Sequence, residues 1–299
     1  MIVQQLINGL SLGSIYALIA LGYTLVYGTL RFINFAHGDV FMLGAFWGFY
    51  FNQFFLNVLG VSGPLSHVTV CVLAMVCCGG VGILIERLAY RPLRQQPKLT
   101  MLITAIGVSL FLEYGGQWLF GADPKPFPAL IPDVPWLETP QMVLSTGPAI
   151  VMVVAMGLLL MLYTVVFHTK MGRAMRAVAS NPKAASLMGV NPDYVIGFTF
   201  ALGSVLAGAA GLLYASLYPS INPMMGIFPG LKAFVAAVVG GIGHMGGAVL
   251  GGFLIGLLET FLTGYLSPIY KDAITFGCLI VILVVKPSGL LGKSSIEKV

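Results

Sequence analysis

Hydrophobic residues run along this chain in long blocks instead of alternating with polar ones. Apolar segments fall at about 5–28, 38–59, 66–86, 99–120, 145–168, 194–217, 229–243, 247–264 and 272–286. Blocks such as 149–167 and 194–218 have the length, roughly 20 residues, with which a helix spans a bilayer. A membrane barrel would alternate apolar and polar positions over about 10 residues per strand. The pattern therefore predicts an all-α fold, a polytopic transmembrane bundle of about 8–10 helices with some broken or re-entrant segments. Low-complexity tracts and long linkers are absent, which predicts a single transmembrane domain over residues 1–299.

Composition sharpens this. The chain is 58% hydrophobic and 8% charged, against about 25% charged in soluble domains, so a soluble globule is excluded. The first segment has no basic residue before Arg31 and no small-residue cleavage site, and reads as a retained helix. Cys71, Cys77, Cys78 and Cys278 sit in apolar runs without metal-ligand spacing.

Charge is shared unequally between the linkers. Arg87, Arg91, Arg94 and Lys98 fall in one linker, Lys170, Arg173, Arg176 and Lys183 in another, and Lys286, Lys293 and Lys298 in the tail. Basic linkers stay in the cytoplasm, which places the carboxyl terminus inside. The linker 121–141 holds Lys125 as its only cation against Asp123, Asp133 and Glu138, and carries Pro124, Pro126, Pro128, Pro132, Pro135 and Pro140. It is expected outside, as an irregular stiff loop flanked by Trp118 and Trp136. Nine crossings would put the amino terminus outside, ten inside.

Between two apolar blocks lies Asn181-Pro182-Lys183-Ala184-Ala185-Ser186-Leu187-Met188-Gly189, followed by Val190-Asn191-Pro192. Asn181 suits an N-cap, Pro182 the first helical position and Gly189 the left-handed residue past a helix end. Asn191-Pro192 repeats the start signal, with Asp193 in the first turn. The result is an isolated helix of about two turns. Helices that short are marginal in water, so this one must rest on its own protein or on another, and it reads as a docking element for a soluble partner.

Several motifs tempt and fail. Gly9-Leu10-Ser11-Leu12-Gly13 matches a nucleophile elbow but sits inside an apolar helix, where Ser11 can bond back to its own turn. Gly241-Ile242-Gly243-His244-Met245-Gly246 matches a dinucleotide fingerprint without the strands that it needs, and reads as a tight helix break. The segment from Pro287 to Ser294 lacks the first glycine of a P-loop. Gly203, Gly208 and Gly211, and Gly247, Gly251, Gly252 and Gly256, predict close helix packing. Charges at bilayer depth normally face a cavity or a partner. A bend at 34–38 would pair Arg31 with Asp39, with His37 and Asp39 as a two-ligand metal alternative. Glu113, Lys232 and Asp272 are expected near the interfaces, where long side chains snorkel, while Glu259 sits deepest in its segment. Asn34, His37, Asp39 and Glu259 are the translocation-path candidates; no catalytic or metal-binding set is expected.

Taken together, Ile33-Asn34-Phe35-Ala36-His37-Gly38-Asp39, Glu86-Arg87-Leu88-Ala89-Tyr90-Arg91-Pro92, Met171-Gly172-Arg173-Ala174 and Val239-Gly240-Gly241-Ile242-Gly243 resemble the permease subunits of high-affinity branched-chain amino-acid ABC importers. The resemblance covers nearly the whole chain and is closest to the shorter of the two permeases. Residues 183–189 resemble the E-A-A-x-x-x-G loop by which importer permeases contact their ATPases. Lys183 departs from its glutamate, and Thr199 stands where the isoleucine of a following I-x-L-P is expected.

What the resemblance implies is a permease in the bacterial cytoplasmic (inner) membrane, carrying leucine, isoleucine or valine. Its partners would be a second permease, two cytoplasmic ATPases that bind the ATP, and a periplasmic or extracellular substrate-binding protein. No cofactor is expected in this chain, no enzymatic activity and no nucleic-acid partner. The competing class is an ion-gradient-driven secondary transporter of amino acids or related small polar solutes.

Overall fold

A computed structural model of the chain describes residues 2–61, 63–131, 134–139 and 142–292. Lys293, Lys298 and Ser294, together with Pro132, Asp133, Pro140 and Gln141, were singled out above and lie outside the described residues.

The nine apolar segments are all helical: α1 (Ile2–Leu30), α2 (His37–Asn57), α3 (Pro64–Ile85), α4 (Lys98–Phe120) and α5 (Thr146–His168), with α8 (Pro192–Leu217), α9 (Ile227–Gly240), α10 (Met245–Tyr265) and α11 (Lys271–Val285). Two short helices, α6 (Lys170–Ser180) and α7 (Pro182–Leu187), separate α5 from α8. Among the described residues, six helices are long and apolar enough to cross a membrane. The chain is thus a polytopic helical membrane protein.

The loop after α4 departs from the irregular segment expected of it. Strand β1 (Lys125–Pro126) pairs with β4 (Ser220–Ile221), and β2 (Pro135–Thr139) pairs antiparallel with β3 (Met142–Ser145). Proline is tolerated where a strand needs no donor, as at the edge of a two-stranded ribbon.

Glycine sets the helix spacing. A Cβ on Gly13 would come within 2.8 Å of the Phe253 Cα. Gly252 abuts Ala17, Gly256 abuts Gly13, and Gly251 lies against the Ala236 carbonyl. Lipid supplies no hydrophobic drive between helices, so such close backbone packing holds α1, α9 and α10 together.

Two helices start inside the bundle. α9 has 14 residues, about 21 Å, too short for a hydrocarbon core of about 30 Å. Its start meets that of α2, where Gly38 packs on Gly226 and Gly230. The bend expected at 34–38 falls in the break between α1 and α2, yet Arg31 is exposed and Asp39 is bonded elsewhere, so the expected Arg31–Asp39 pair does not form.

The ends of the bundle are distinct. Gln4 Oε1 accepts from the Val143 amide at 2.8 Å and Lys125 Nζ donates to Tyr50 at 2.9 Å, so the start of α1 and the end of α2 share the hairpin face. On the opposite face, Leu290 and Leu291 donate to the Val239 and Gly240 carbonyls at 2.8 and 3.0 Å, beside a cleft that includes Arg31 and Gly243. α6 joins this face through a cleft shared by Thr29, Arg176 and Gly243, and α7 follows it directly.

Candidate functional site

On that second face, α6 is amphipathic. It buries Gly172, Met175 and Val178, and Thr169 caps it by accepting from the Gly172 amide at 3.0 Å. α7 then forms as its sequence demands. Asn181 Oδ1 accepts from the Ala184 amide at 3.1 Å, Pro182 opens the helix, and Gly189 ends it at φ 82°. The Val190 amide returns to the Ala185 carbonyl at 3.1 Å, closing a left-handed C-terminal turn. Asn191 caps α8 through the Asp193 amide at 3.0 Å.

Only Ala185 of α7 is buried. Leu187 is 88% exposed and Met188 84%. Two large apolar side chains therefore stand at the tip of a polar turn, beside Lys183 and, on the same face, Lys170, Arg173 and Arg176. An apolar pair rimmed by charge has the anatomy of a protein-docking anchor.

Beneath it lies an ionic cluster that the sequence does not announce. Arg94 bonds both Glu86 and Asp193, at 2.6 Å to the latter, and Arg91 also bonds Asp193. Glu86 opens a π turn, Glu86–Tyr90, where α3 ends; such turns often mark functional positions. The cluster ties the α3–α4 linker to the first turn of α8, three residues past Gly189. These arginines, read from sequence as topology determinants, are thus also pair-forming. The only sequence signal was the density of Glu86, Arg91 and Arg94 within nine positions.

The path candidates separate into two places. Asn34, His37 and Asp39 gather at the break between α1 and α2. Tyr90 donates to Asn34 Oδ1 at 2.7 Å, and Ser109 donates to Asp39 Oδ2 at 2.5 Å. His37 is wedged against Gly22, its ring 4.8 Å from that of Tyr23 between centroids, and its Nε2 has no hydrogen-bond partner among the described residues. Asp39, Ser109 and Glu113 line a cleft of about 100 Å³ with Gly226 and Gly230. No group of three metal-ligating side chains occurs among the described residues.

Glu259 lies apart, on α10. It accepts from Tyr16 at 2.7 Å and from Lys232 at 2.6 Å, while Lys232 also reaches Asp272 at 2.7 Å. Lys232 is 3% exposed. Lys232 and Glu113 are thus buried among side chains, where snorkelling would have left their charged ends exposed. A lysine this deep is held by two carboxylates, since its charge would otherwise lack compensation. Ser11 likewise does not bond back to its turn; it is Ser14 that donates to the Leu10 carbonyl, at 2.7 Å.

Residues 5–283 match the family described as branched-chain amino acid transport system / permease component. The chain belongs to this family. It is 42% identical to the high-affinity branched-chain amino acid transport system permease protein LivH of Escherichia coli, over 99% of this chain and 97% of the relative. It is 40% identical to BraD, the corresponding permease of Pseudomonas aeruginosa, over 99% and 97%. A probable branched-chain permease of Methanocaldococcus jannaschii is 30% identical over 93% and 89%. These relatives of the family are transport permeases, not enzymes.

Proposed function

We propose that the chain is the shorter permease subunit of an ATP-driven importer of branched-chain amino acids in the bacterial cytoplasmic membrane. One domain, it lines the translocation path with a second permease and receives substrate from a separate binding protein. Two cytoplasmic ATPases bind the ATP and act on this subunit through residues 181–189. The observation that carries this reading is α7 itself, a capped two-turn helix whose Leu187 and Met188 are presented to solvent on the face where the cations gather. The positive-inside rule puts that face, and with it the carboxyl end at 286–292, in the cytoplasm. The break at Asn34, His37 and Asp39 and the cleft beside Glu259 lie along the path.

A second reading, a secondary transporter driven by an ion gradient, draws on one observation. α2 and α9 both begin inside the bundle, next to Asp39 and Glu113, and broken helices with midplane carboxylates belong to that class. Reconstitution separates the two. Vesicles with both permeases, the ATPases and the binding protein are expected to accumulate leucine only when ATP is supplied. Accumulation by this chain alone under a proton or sodium gradient would overturn the importer reading.

A further inference from the structure

α7 and the helix break at Asn34 are joined by a run of polar contacts through one helical turn. Gly189 ends α7, and Asn191 then fixes the first turn of α8 by accepting from the Asp193 amide at 3.0 Å. Asp193 Oδ1 accepts from Arg94 at 2.6 Å, and the same guanidinium binds Glu86. Glu86 is the first residue of the π turn and Tyr90 the last. The Tyr90 hydroxyl donates to Asn34 Oδ1 at 2.7 Å, and the Asn34 carbonyl accepts from the His37 amide at 3.2 Å, where α2 starts. The buried Tyr90 ring is wedged between Phe32 in the break and Phe200 on α8, at 4.9 and 5.4 Å between centroids. π turns are rare, and this one is pinned at both ends: by an ion pair on the α7 side and by a buried hydrogen bond on the other.

The two ends of the Arg94 bridge differ. The Glu86 side chain is 2% exposed, and a carboxylate so buried is stranded without its cation. The Asp193 side chain is 43% exposed, so water can take the place of the guanidinium there. The bridge therefore has two arrangements, closed onto Asp193 or released from it, with Glu86 holding Arg94 in both. Coupling between distant sites needs such an element, one whose discrete arrangements both sites bias. We propose that Arg94 is a positioning residue of transport: while closed onto Asp193, it passes a displacement of α7 to the π turn, and Tyr90 carries it to Asn34 and the start of α2. Without the bridge, α8 alone would link α7 to the bundle, and the α3–α4 linker would be left behind. The inference rests on the importer reading, since it takes α7 as the place where the ATPases act, and it adds the route by which that action reaches the path.

The complete importer, with both permeases, the ATPases and the binding protein, is reconstituted in vesicles, and leucine uptake and ATP hydrolysis are measured together. The readout is leucine carried per ATP hydrolysed, which stays constant when folded protein is merely lost, because both rates then fall together. Arg94→Gln is expected to lower this ratio about fivefold, and Tyr90→Phe, which removes only the hydroxyl, about threefold. Two breaks in one relay do not add: the double variant is expected to stay at about fivefold, whereas independent effects would multiply to about fifteenfold. Arg87→Gln removes a cation from the same turn, exposed and in no ion pair among the described residues, and is expected to keep the parental ratio. The inference is overturned if Arg94→Gln keeps the parental ratio, if the double variant falls to the product, or if Arg87→Gln falls as far as Arg94→Gln. Where Arg94→Gln is not recovered in the membrane, Tyr90→Phe decides alone, since it conserves shape, and a parental ratio there overturns the inference. Leucine uptake by the parent complex without ATP sinks the importer reading, whereas ATP-driven uptake with a parental ratio in Arg94→Gln sinks this relay alone.

Discussion

Along the seam between α1 and α10, Gly13, Gly252 and Gly256 are required because a Cβ there would strike the facing backbone. Gly189, at the end of α7, faces open space and is required for its φ of 82°. One residue type thus serves volume between the packed helices and conformation at the tip of α7. The interior excludes side chains because lipid-embedded helices gain stability from close backbone contact. The tip is built by caps and turn geometry, and keeps its apolar side chains outward. Substitutions in the first region should therefore remove the folded protein, and those in the second should spare the fold while uncoupling it from its partner.

The comparison is broken most severely at Gly251. Its Cβ would meet the Ala236 carbonyl, backbone of another helix that cannot turn aside. Gly251→Val is expected to cost about 3 kcal/mol or more, seen as loss of monodisperse protein in detergent. Normal yield and melting temperature would show that the seam has slack. Next comes the buried ionic group. Lys232→Met leaves Glu259 facing Lys271 and Tyr16 alone, and deprives Asp272 of its cation. A loss of about 3 kcal/mol follows from removing the close cation of the buried Glu259 carboxylate, and adding Glu259→Gln should recover part of it in a thermal unfolding assay. Smaller again, Gly189→Val should cost about 1 kcal/mol, confined to the turn. Total membrane protein should be unchanged while binding-protein-stimulated ATP hydrolysis and uptake separate from each other. Coupled hydrolysis at the parental rate would make 181–192 an ordinary surface turn.

The helices were legible because apolar blocks long enough to span a bilayer are ended by Pro, Gly or charge, and α7 because Asn181, Pro182 and Gly189 each carry a local conformational preference. α6 was not recognised as a helix: its partly buried Met171 and buried Met175 and Val178 recur at helical spacing, but Lys170, Arg173 and Arg176 between them read as a basic linker. The β2–β3 hairpin was hidden by its prolines. The pairs escaped for a different reason. Lys232 with Glu259, and Arg94 with Asp193, are joined across 27 and 99 positions, and single-residue chemistry states that a buried charge needs a partner without saying which. Arg31 and Asp39, neighbours in sequence, were the natural guess, but Asp39 turned instead to Ser109 on α4.

The central claim, that α7 is where the ATPases engage, rests on the two side chains it presents outward. Leu187→Asp combined with Met188→Asp alters no buried contact, as both are more than four-fifths exposed, so membrane abundance and thermal stability should match the parent. Recovery of the ATPases with the solubilised permease, measured together with ATP-driven leucine uptake, is expected to fall about tenfold or more, as the loss of apolar anchors at a protein interface implies. Parental recovery and uptake in that double variant would contradict the account.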